Sequence, residues 1–310
     1  MTLGIIDVGT NSIHLLIGIL GLNGKFHVLL KERDLTRLGE GGLVKGRLTN
    51  TAMRRAMEVL GRYAATLKRC DVDHVEAVAT SAVREAKNGR AFVQRVRTRL
   101  KLPLRIISGR EEARLIYLGV WSAQRFHRPS VIVTIGGGSA QVMCGTGARL
   151  RYATSVPLGG ARLAQQWIRH DPPRPEDVAV LEESVRRIWT PVTRALRHHR
   201  WEKAWGSSAT IYQLMRAAYR LTHHQKNAQP RALSISQRAL RRLVAWLATS
   251  TANERMRLPG LDPRREDLAF PTAVALFVWM ERCRIARLYS APGSLREGLV
   301  ADYLLRYHQR

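Results

Sequence analysis

Acidic residues are scarce in this chain. Only 24 Asp and Glu stand against 51 Lys and Arg in 310 residues, giving a formal charge of +27 and an isoelectric point near 11.3. Such an imbalance argues against a cationic partner and for a polyanionic one. The excess is 10 over residues 1–123 and 17 over the remainder, so no single tail carries it. Lysine is scarce too, with 8 of the 51 cations, and the remaining 43 are arginines, whose planar fork matches phosphate oxygens in pairs. A GC-rich coding sequence produces the same preference for Arg, but not the deficit of acids. The three cysteines, Cys70, Cys144 and Cys283, are far apart and form no C-x-x-C pair, which excludes a disulfide framework and fits buried thiols in a reducing cytosol. Long hydrophobic runs are missing: the opening MTLGIIDVGTNSIHLLIGIL is broken by Asp7, Asn11 and His14 and has no early Lys or Arg, so neither a secretory leader nor a membrane span is expected. Aromatic residues make up 6%, and Trp189, Trp201, Trp205, Trp246 and Trp279 fall in stretches of helical periodicity, where packing is their expected role. No base-stacking motif or helix-turn-helix is present, so nucleic acid is not expected as a specific ligand.

What the chain does have is 45% apolar residues, enough for real cores, and a length that favours two domains. LGIID (3–7), a turn at VGTNS, IHLLIGIL and FHVLLKER read as a meander of strands whose first tip carries Asp7, Gly9, Asn11 and Ser12. Apolar positions at helical spacing over 49–69, behind Thr49 and Asn50, predict a helix. Short strands at 74–80 and 104–108 and helices over AFVQRVRTRL and 110–121 complete a first domain, 1–123. After the polar link 123–130, VIVTIGGGSAQVMCGTGARL (131–150) repeats the order apolar run, small-residue tip, apolar run, Gly turn of residues 4–24. A second domain, 124–310, is predicted to open with the same strands and to be largely helical after 160, over 160–170, 175–200, 207–221, 234–251 and 272–288.

Two tips of the GTNS and GGGS kind place several backbone N–H groups within reach of one anion. Neither is a Walker loop or a dinucleotide fingerprint, because no G-K-S/T follows and no helix opens after the glycines. Either could equally be an ordinary tight turn; the duplication and the basic balance favour phosphate.

IIDVGTNSIHLLI, ATSAVRE, ISGREEARLIYLGV, IGGGSAQ, PLGGARL and GSLREGLVADYL occur in this order over nearly the whole chain. The set resembles the exopolyphosphatase/guanosine pentaphosphate phosphatase (Ppx/GppA) family in its short, two-domain form. The resemblance implies an α/β fold of two ribonuclease-H-like domains, of the actin-like/sugar-kinase/heat-shock-chaperone ATPase superfamily, with the active site in the interdomain cleft. It implies a cytoplasmic enzyme in which water attacks a terminal phosphoryl group of polyphosphate or of the guanosine pentaphosphate/tetraphosphate alarmone, with Mg²⁺ or Mn²⁺ as cofactor. It leaves a homodimer open. Carried onto this chain, Glu112 is the expected base, Asp7 helps position metal or water, and Arg84 reaches toward the phosphates. Backbone N–H groups of Gly9, Thr10, Asn11 and Ser12, and of Gly137, Gly138 and Ser139, form two phosphate cradles. Metal ligation would fall to Asp7 and Glu112. Glu111, one residue from Glu112, would point about 100° away on a helix and be solvated.

The second tip departs from the family pattern D-I-G-G-G-S-x-E, because Thr134 replaces the Asp and Gln141 the Glu. Neutral ligands hold Mg²⁺ weakly, while fewer negative charges favour a polyanion. The alternative to an enzyme is therefore a catalytically weakened polyphosphate or alarmone sensor. WGSSAT (205–210) and PRRED (263–267) also echo family motifs, but Phe270, Pro271 and Thr272 stand where a Gly pair is common, and no role is carried onto them. His198–His199 and His223–His224 are sequence neighbours without a carboxylate at ligand spacing, and no zinc site is expected.

Overall fold

The computed structural model describes residues 1–21, 25–222 and 233–307, and His223–His224 lie outside them. The chain divides into two compact units: Met1–Ala123 together with the segment from Gly293 onward, and Gln124–Pro292. Among the described residues no helix is long and apolar enough to cross a membrane.

The first unit contains β1 (Thr2–Val8), β2 (Ile13–Leu20), β3 (Phe26–Asp34), α1 (Asn50–Arg69), β4 (His74–Ala79), α2 (Ser81–Glu85), α3 (Gly89–Leu100), β5 (Leu104–Ile106) and α4 (Gly109–Gln124). Its sheet runs β3-β2-β1-β4-β5, antiparallel across the first three strands in sequence and parallel from β1 to β4 to β5. Leu3, Ile5, Ile6 and Val8 of β1 are all fully buried, as in a strand covered on both faces. Helix α1 starts where Thr49 accepts from the Ala52 N–H at 3.2 Å, and it buries Ala52, Met53, Ala56, Val59, Leu60, Tyr63 and Leu67 along one stripe.

The second unit contains β6 (Ser130–Ile135), β7 (Ala140–Thr146), β8 (Arg149–Val156), α5 (Gly160–Trp167), α6 (Pro175–Leu196), β9 (Lys203–Gly206), α7 (Ala209–Thr222), β10 (Ser234–Ser236), α8 (Gln237–Thr249), α9 (Ala252–Arg257), α10 (Ala269–Arg282) and β11 (Arg287–Ser290). The sheet order β10-β11-β9-β6-β7-β8 again joins an antiparallel meander (β6, β7, β8) to parallel strands (β6, β9, β11). Helix α10 is buried nearly all round, and the Trp189 indole N–H of α6 donates to its Ala275 carbonyl at 2.9 Å. Each fully buried Val, Leu or Ile side chain of such a core stabilises by about 1.5–3 kcal/mol. Both units thus have the ribonuclease-H-like arrangement that the resemblance implies.

Two expectations are corrected. Two predicted helices are shorter than their ranges: the run over 272–288 ends at Arg282 and resumes as β11, and that over 234–251 begins only at Gln237, after β10. These strands are only three or four residues long, too short for a period to stand out beside long helices. The second unit also does not extend to 310. The last helix, α11 (Leu295–Tyr307), belongs to the first unit, where Gly298 lies so close to the Leu115 carbonyl of α4 that a Cβ would overlap it. Arg114–Asp302 and Arg306–Glu76 ion pairs, both at 2.8 Å, fix α11 there.

Candidate active site

The β1–β2 register runs to Asp7 opposite His14 and Val8 opposite Ile13, leaving Gly9–Ser12 as a four-residue tip. The Gly9 N–H closes it by donating to the Ser12 carbonyl at 3.0 Å. A Cβ on Gly9 would sit 2.9 Å from that same oxygen, which is why glycine is needed there. The Thr10 carbonyl accepts from the Gly39 N–H at 2.9 Å and the Asn11 carbonyl from the Arg37 N–H at 3.0 Å. The tip's carbonyls are therefore drawn back into the protein. Among the described residues the N–H groups of Thr10, Asn11 and Ser12 meet no carbonyl, and the Asn11 side-chain Nδ2, fully buried, has no partner. An array of donors without acceptors is a site for an anion. The Gly9 N–H, expected in the cradle, is instead spent on the turn.

Two carboxylates belong to the same unit. Glu112, in the first turn of α4, is 7% exposed and bound by Arg84 Nη1 at 2.8 Å, and that guanidinium nitrogen also donates to the Ile107 carbonyl at 3.2 Å. Burial pushes the Glu112 carboxyl above its ordinary range, and the charge and hydrogen bond of Arg84 offset this only in part. Glu111 turns away and pairs with Arg105 at 2.7 Å. Asp7, at the end of β1, is raised by burial to about 7; the nearby Arg296 charge opposes the rise, and the charges of Glu112 and Glu297 add to it. The charge of Glu112 thus acts on Asp7, and burial raises both acids above their ordinary range.

The C-terminal motif contributes groups that sequence reasoning passed over. Arg296 Nη1 lies 3.0 Å from His14 Nδ1; a guanidinium only donates, so Nδ1 accepts and the ring carries its proton on Nε2. Burial works against the charge on Glu297, but Arg296, the Ser294 hydroxyl at 2.5 Å, its own backbone N–H and Lys31 outweigh it and hold the carboxyl below its usual range. The signal was available in the register, since His14 stands opposite Asp7 as Gln141 stands opposite Thr134. It needed the pairing to be read across the hairpin.

The second tip, Gly136–Ser139, repeats the first atom for atom in its closing bond: the Gly136 N–H donates to the Ser139 carbonyl at 2.9 Å. PLGGARL packs directly beneath it. The Gly160 N–H donates to the Gly136 carbonyl at 2.9 Å, the Arg162 N–H to the Gly137 carbonyl at 3.0 Å, and Arg162 Nε to the Gly138 carbonyl at 2.8 Å. A Cβ on Gly159 would overlap the Gly137 carbonyl, so the motif's glycines permit the close approach. Here too the carbonyls are held back and the N–H groups of Gly137, Gly138 and Ser139 meet no carbonyl among the described residues. Gln141, 2% exposed, donates through Nε2 to the Ser139 hydroxyl at 2.8 Å and to the Ser155 hydroxyl at 3.1 Å. Where the family pattern has a charge-bearing acid, this chain has a neutral amide engaged in bracing the tip. Thr134 is buried opposite it.

Among the described residues no three His, Cys, Asp or Glu side chains gather as a metal cage, and the His199 ring packs at a tilt against Tyr152. A hard cation of the Mg²⁺ kind does not require such a cage, being held by one or two carboxylates with waters and substrate phosphates. Asp7 and Glu112, two carboxylates of one unit with the charge of Glu112 acting on Asp7, fit that mode.

A sequence model described as the Ppx/GppA phosphatase family matches residues 21–307. Exopolyphosphatase 1 of Mycobacterium leprae is 29% identical over 306 residues, 97% of this chain and 88% of the relative. The crystal structure of an exopolyphosphatase from Cytophaga hutchinsonii superposes with a TM-score of 0.90 at 29% identity, covering 99% of this chain and 98% of the other. That of a Ppx/GppA family member from Aquifex aeolicus gives 0.80 at 25% identity, with 99% and 98% covered.

Proposed function

Because the chain belongs to the Ppx/GppA phosphatase family, we propose that it hydrolyses phosphoanhydrides, releasing the terminal phosphate of inorganic polyphosphate or of guanosine pentaphosphate, with Glu112 as the base. The observation that carries this reading is the part-buried Arg84–Glu112 pair in the unit whose first tip offers N–H donors and the buried Asn11 amide. The tip donors would take the oxygens of the reacting phosphoryl group, where charge is spread in the transition state. Arg84 orients Glu112 and adds a second guanidinium nitrogen for phosphate. A water oxygen bonds to the terminal phosphorus, the bridging P–O bond breaks, the water proton goes to Glu112, and the shortened chain leaves as the anion. A carboxyl held above its ordinary range is better matched to this proton than a solvated one. Asp7 and Glu112 would hold Mg²⁺ or Mn²⁺, which when bound offsets phosphate charge.

Phosphate release from both substrates in the presence of Mg²⁺ or Mn²⁺ tests the proposal. Glu112→Gln should lower kcat by about 10²–10⁴, and a wild-type rate no higher than that of this variant would refute hydrolysis. The neutral Gln141 amide favours a second reading, a polyphosphate or alarmone sensor. Tight binding by calorimetry that is indifferent to divalent metal, with turnover at the Glu112→Gln level, would select it.

A further inference from the structure

We propose that the first unit carries a second anion subsite, a basic cavity beside Arg84 that holds the phosphates of a linear polyphosphate behind the one being cleaved. The cavity measures about 680 Å³ and is lined by Val83, Arg84, Ala86, Lys87, Arg90 and Ile106. This lies within the range of small-molecule sites. Three of its six lining residues are cations and none is an acid.

The placement matters more than the charge, since cations are everywhere on this surface. Arg84 belongs both to the cavity and to the pair with Glu112, so an anion bound there is contiguous with the proposed base. Lys87 and Arg90 are exposed, and among the described residues neither has a carboxylate partner. Glu85 lies between Arg84 and Lys87 in sequence, but it accepts from the Ser81 hydroxyl at 2.6 Å and does not line the cavity. Lys87 and Arg90 thus add two positive charges without a carboxylate partner beside the Arg84–Glu112 pair, and their repulsion is relieved when an anion is bound.

The wall is also built rather than improvised. The Lys87 N–H donates to the Gly46 carbonyl at 2.9 Å, and Asn88 clasps Leu48 in both directions, Nδ2 to its carbonyl and Oδ1 from its N–H, each at 2.9 Å. Gly89 packs so close to the Val83 carbonyl that a Cβ would overlap it. The segment joining α2 to α3 is thereby fixed, which sets the backbone positions of the two exposed cations, Lys87 on that segment and Arg90 in the first turn of α3. Such preorganisation lowers the cost of binding. The substrate named here rests on the hydrolase reading, whereas the cavity's affinity for polyphosphate does not.

The test is the double variant Lys87→Ala/Arg90→Ala of the full chain, assayed on long-chain polyphosphate and on tripolyphosphate over a series of salt concentrations. The expected result is a KM for the long chain raised about tenfold, with kcat within twofold and both constants for tripolyphosphate unchanged. The salt dependence of long-chain binding should weaken, by roughly 0.7 in log–log slope per lost contact if polyphosphate behaves like a single strand. Lys87→Arg/Arg90→Lys should restore the wild-type KM, and Arg238→Ala/Arg242→Ala, which removes the same charge from exposed positions of α8 in the second unit, should leave it unchanged. An unaltered long-chain KM, or an equal rise for both substrates or for the Arg238/Arg242 variant, overturns the subsite. If wild type hydrolyses neither substrate, the hydrolase reading fails, and the subsite is then judged by titration with long-chain polyphosphate: tenfold weaker binding by the double variant supports it, and equal binding overturns it.

Discussion

Asp7→Asn should make the protein more stable, and by an amount that depends on pH in a defined direction. Asp7 is raised from 3.8 to about 7, chiefly by burial. A carboxyl with a raised pKa in the folded state favours the fold while neutral; that stability is fully present below 3.8 and is lost as pH climbs to about 7. From pH 5 to pH 8 the titration crosses about two units, worth roughly 2.7 kcal/mol at 1.36 kcal/mol per unit. Asp7 is not wholly shielded from water, and screening brings the expectation to ~1–1.5 kcal/mol. Asn cannot titrate, so the stability of the variant relative to wild type should grow by that amount between the two pH values, whatever constant offset the amide introduces. Urea unfolding at pH 5 and pH 8 in chelator, followed by tryptophan fluorescence, measures it. With Mg²⁺ and phosphate added, the wild-type pH dependence should flatten, since a cation beside Asp7 favours its ionised form. A gap between variant and wild type that stays constant to within ~0.5 kcal/mol in chelator, or shrinks with pH, would refute the assignment of Asp7 as a buried, destabilised acid.

Thr134→Asp/Gln141→Glu should raise metal-dependent phosphate release tenfold or more if the neutral second tip limits turnover; the Ser139 and Ser155 hydroxyls can reverse and donate to the new carboxylate, so the tip keeps its brace. An unchanged rate would place the limitation elsewhere. Gly298→Ala, which forces a methyl group against the Leu115 carbonyl, should cost about 1–3 kcal/mol and lower Tm. A wild-type Tm for that variant would contradict the close α4–α11 packing.

The strand–tip–strand openings of both units were legible because a hairpin is local: an apolar run, a Gly-containing turn and the apolar return strand lie within about twenty residues. Arg84 and Glu112 were legible only through motifs. Their contact spans 28 positions, and no periodicity announces that an arginine in a short helix will meet an acid on a later one. Lys87 and Arg90 carried no signal at all among so many cations, since what distinguishes them is the cavity they share with Arg84. The short strands β9, β10 and β11 were hidden for the opposite reason, being made by pairing into a sheet rather than by their own three or four residues.

By itself, the sequence determined the excess of positive charge, the duplicated tips, the family and the two missing acids, because each is a matter of residue identity or of neighbours along the chain. Tertiary structure decided the rest. It brought the C-terminal helix back to the first unit, where Gly119 and Gly298 let two backbones approach and where Arg296 meets His14. It removed Glu112 from water and gave it Arg84, and it turned the tip carbonyls inward so that only donors face out. These depend on desolvation and on contacts between distant segments, quantities that exist only once the chain has folded.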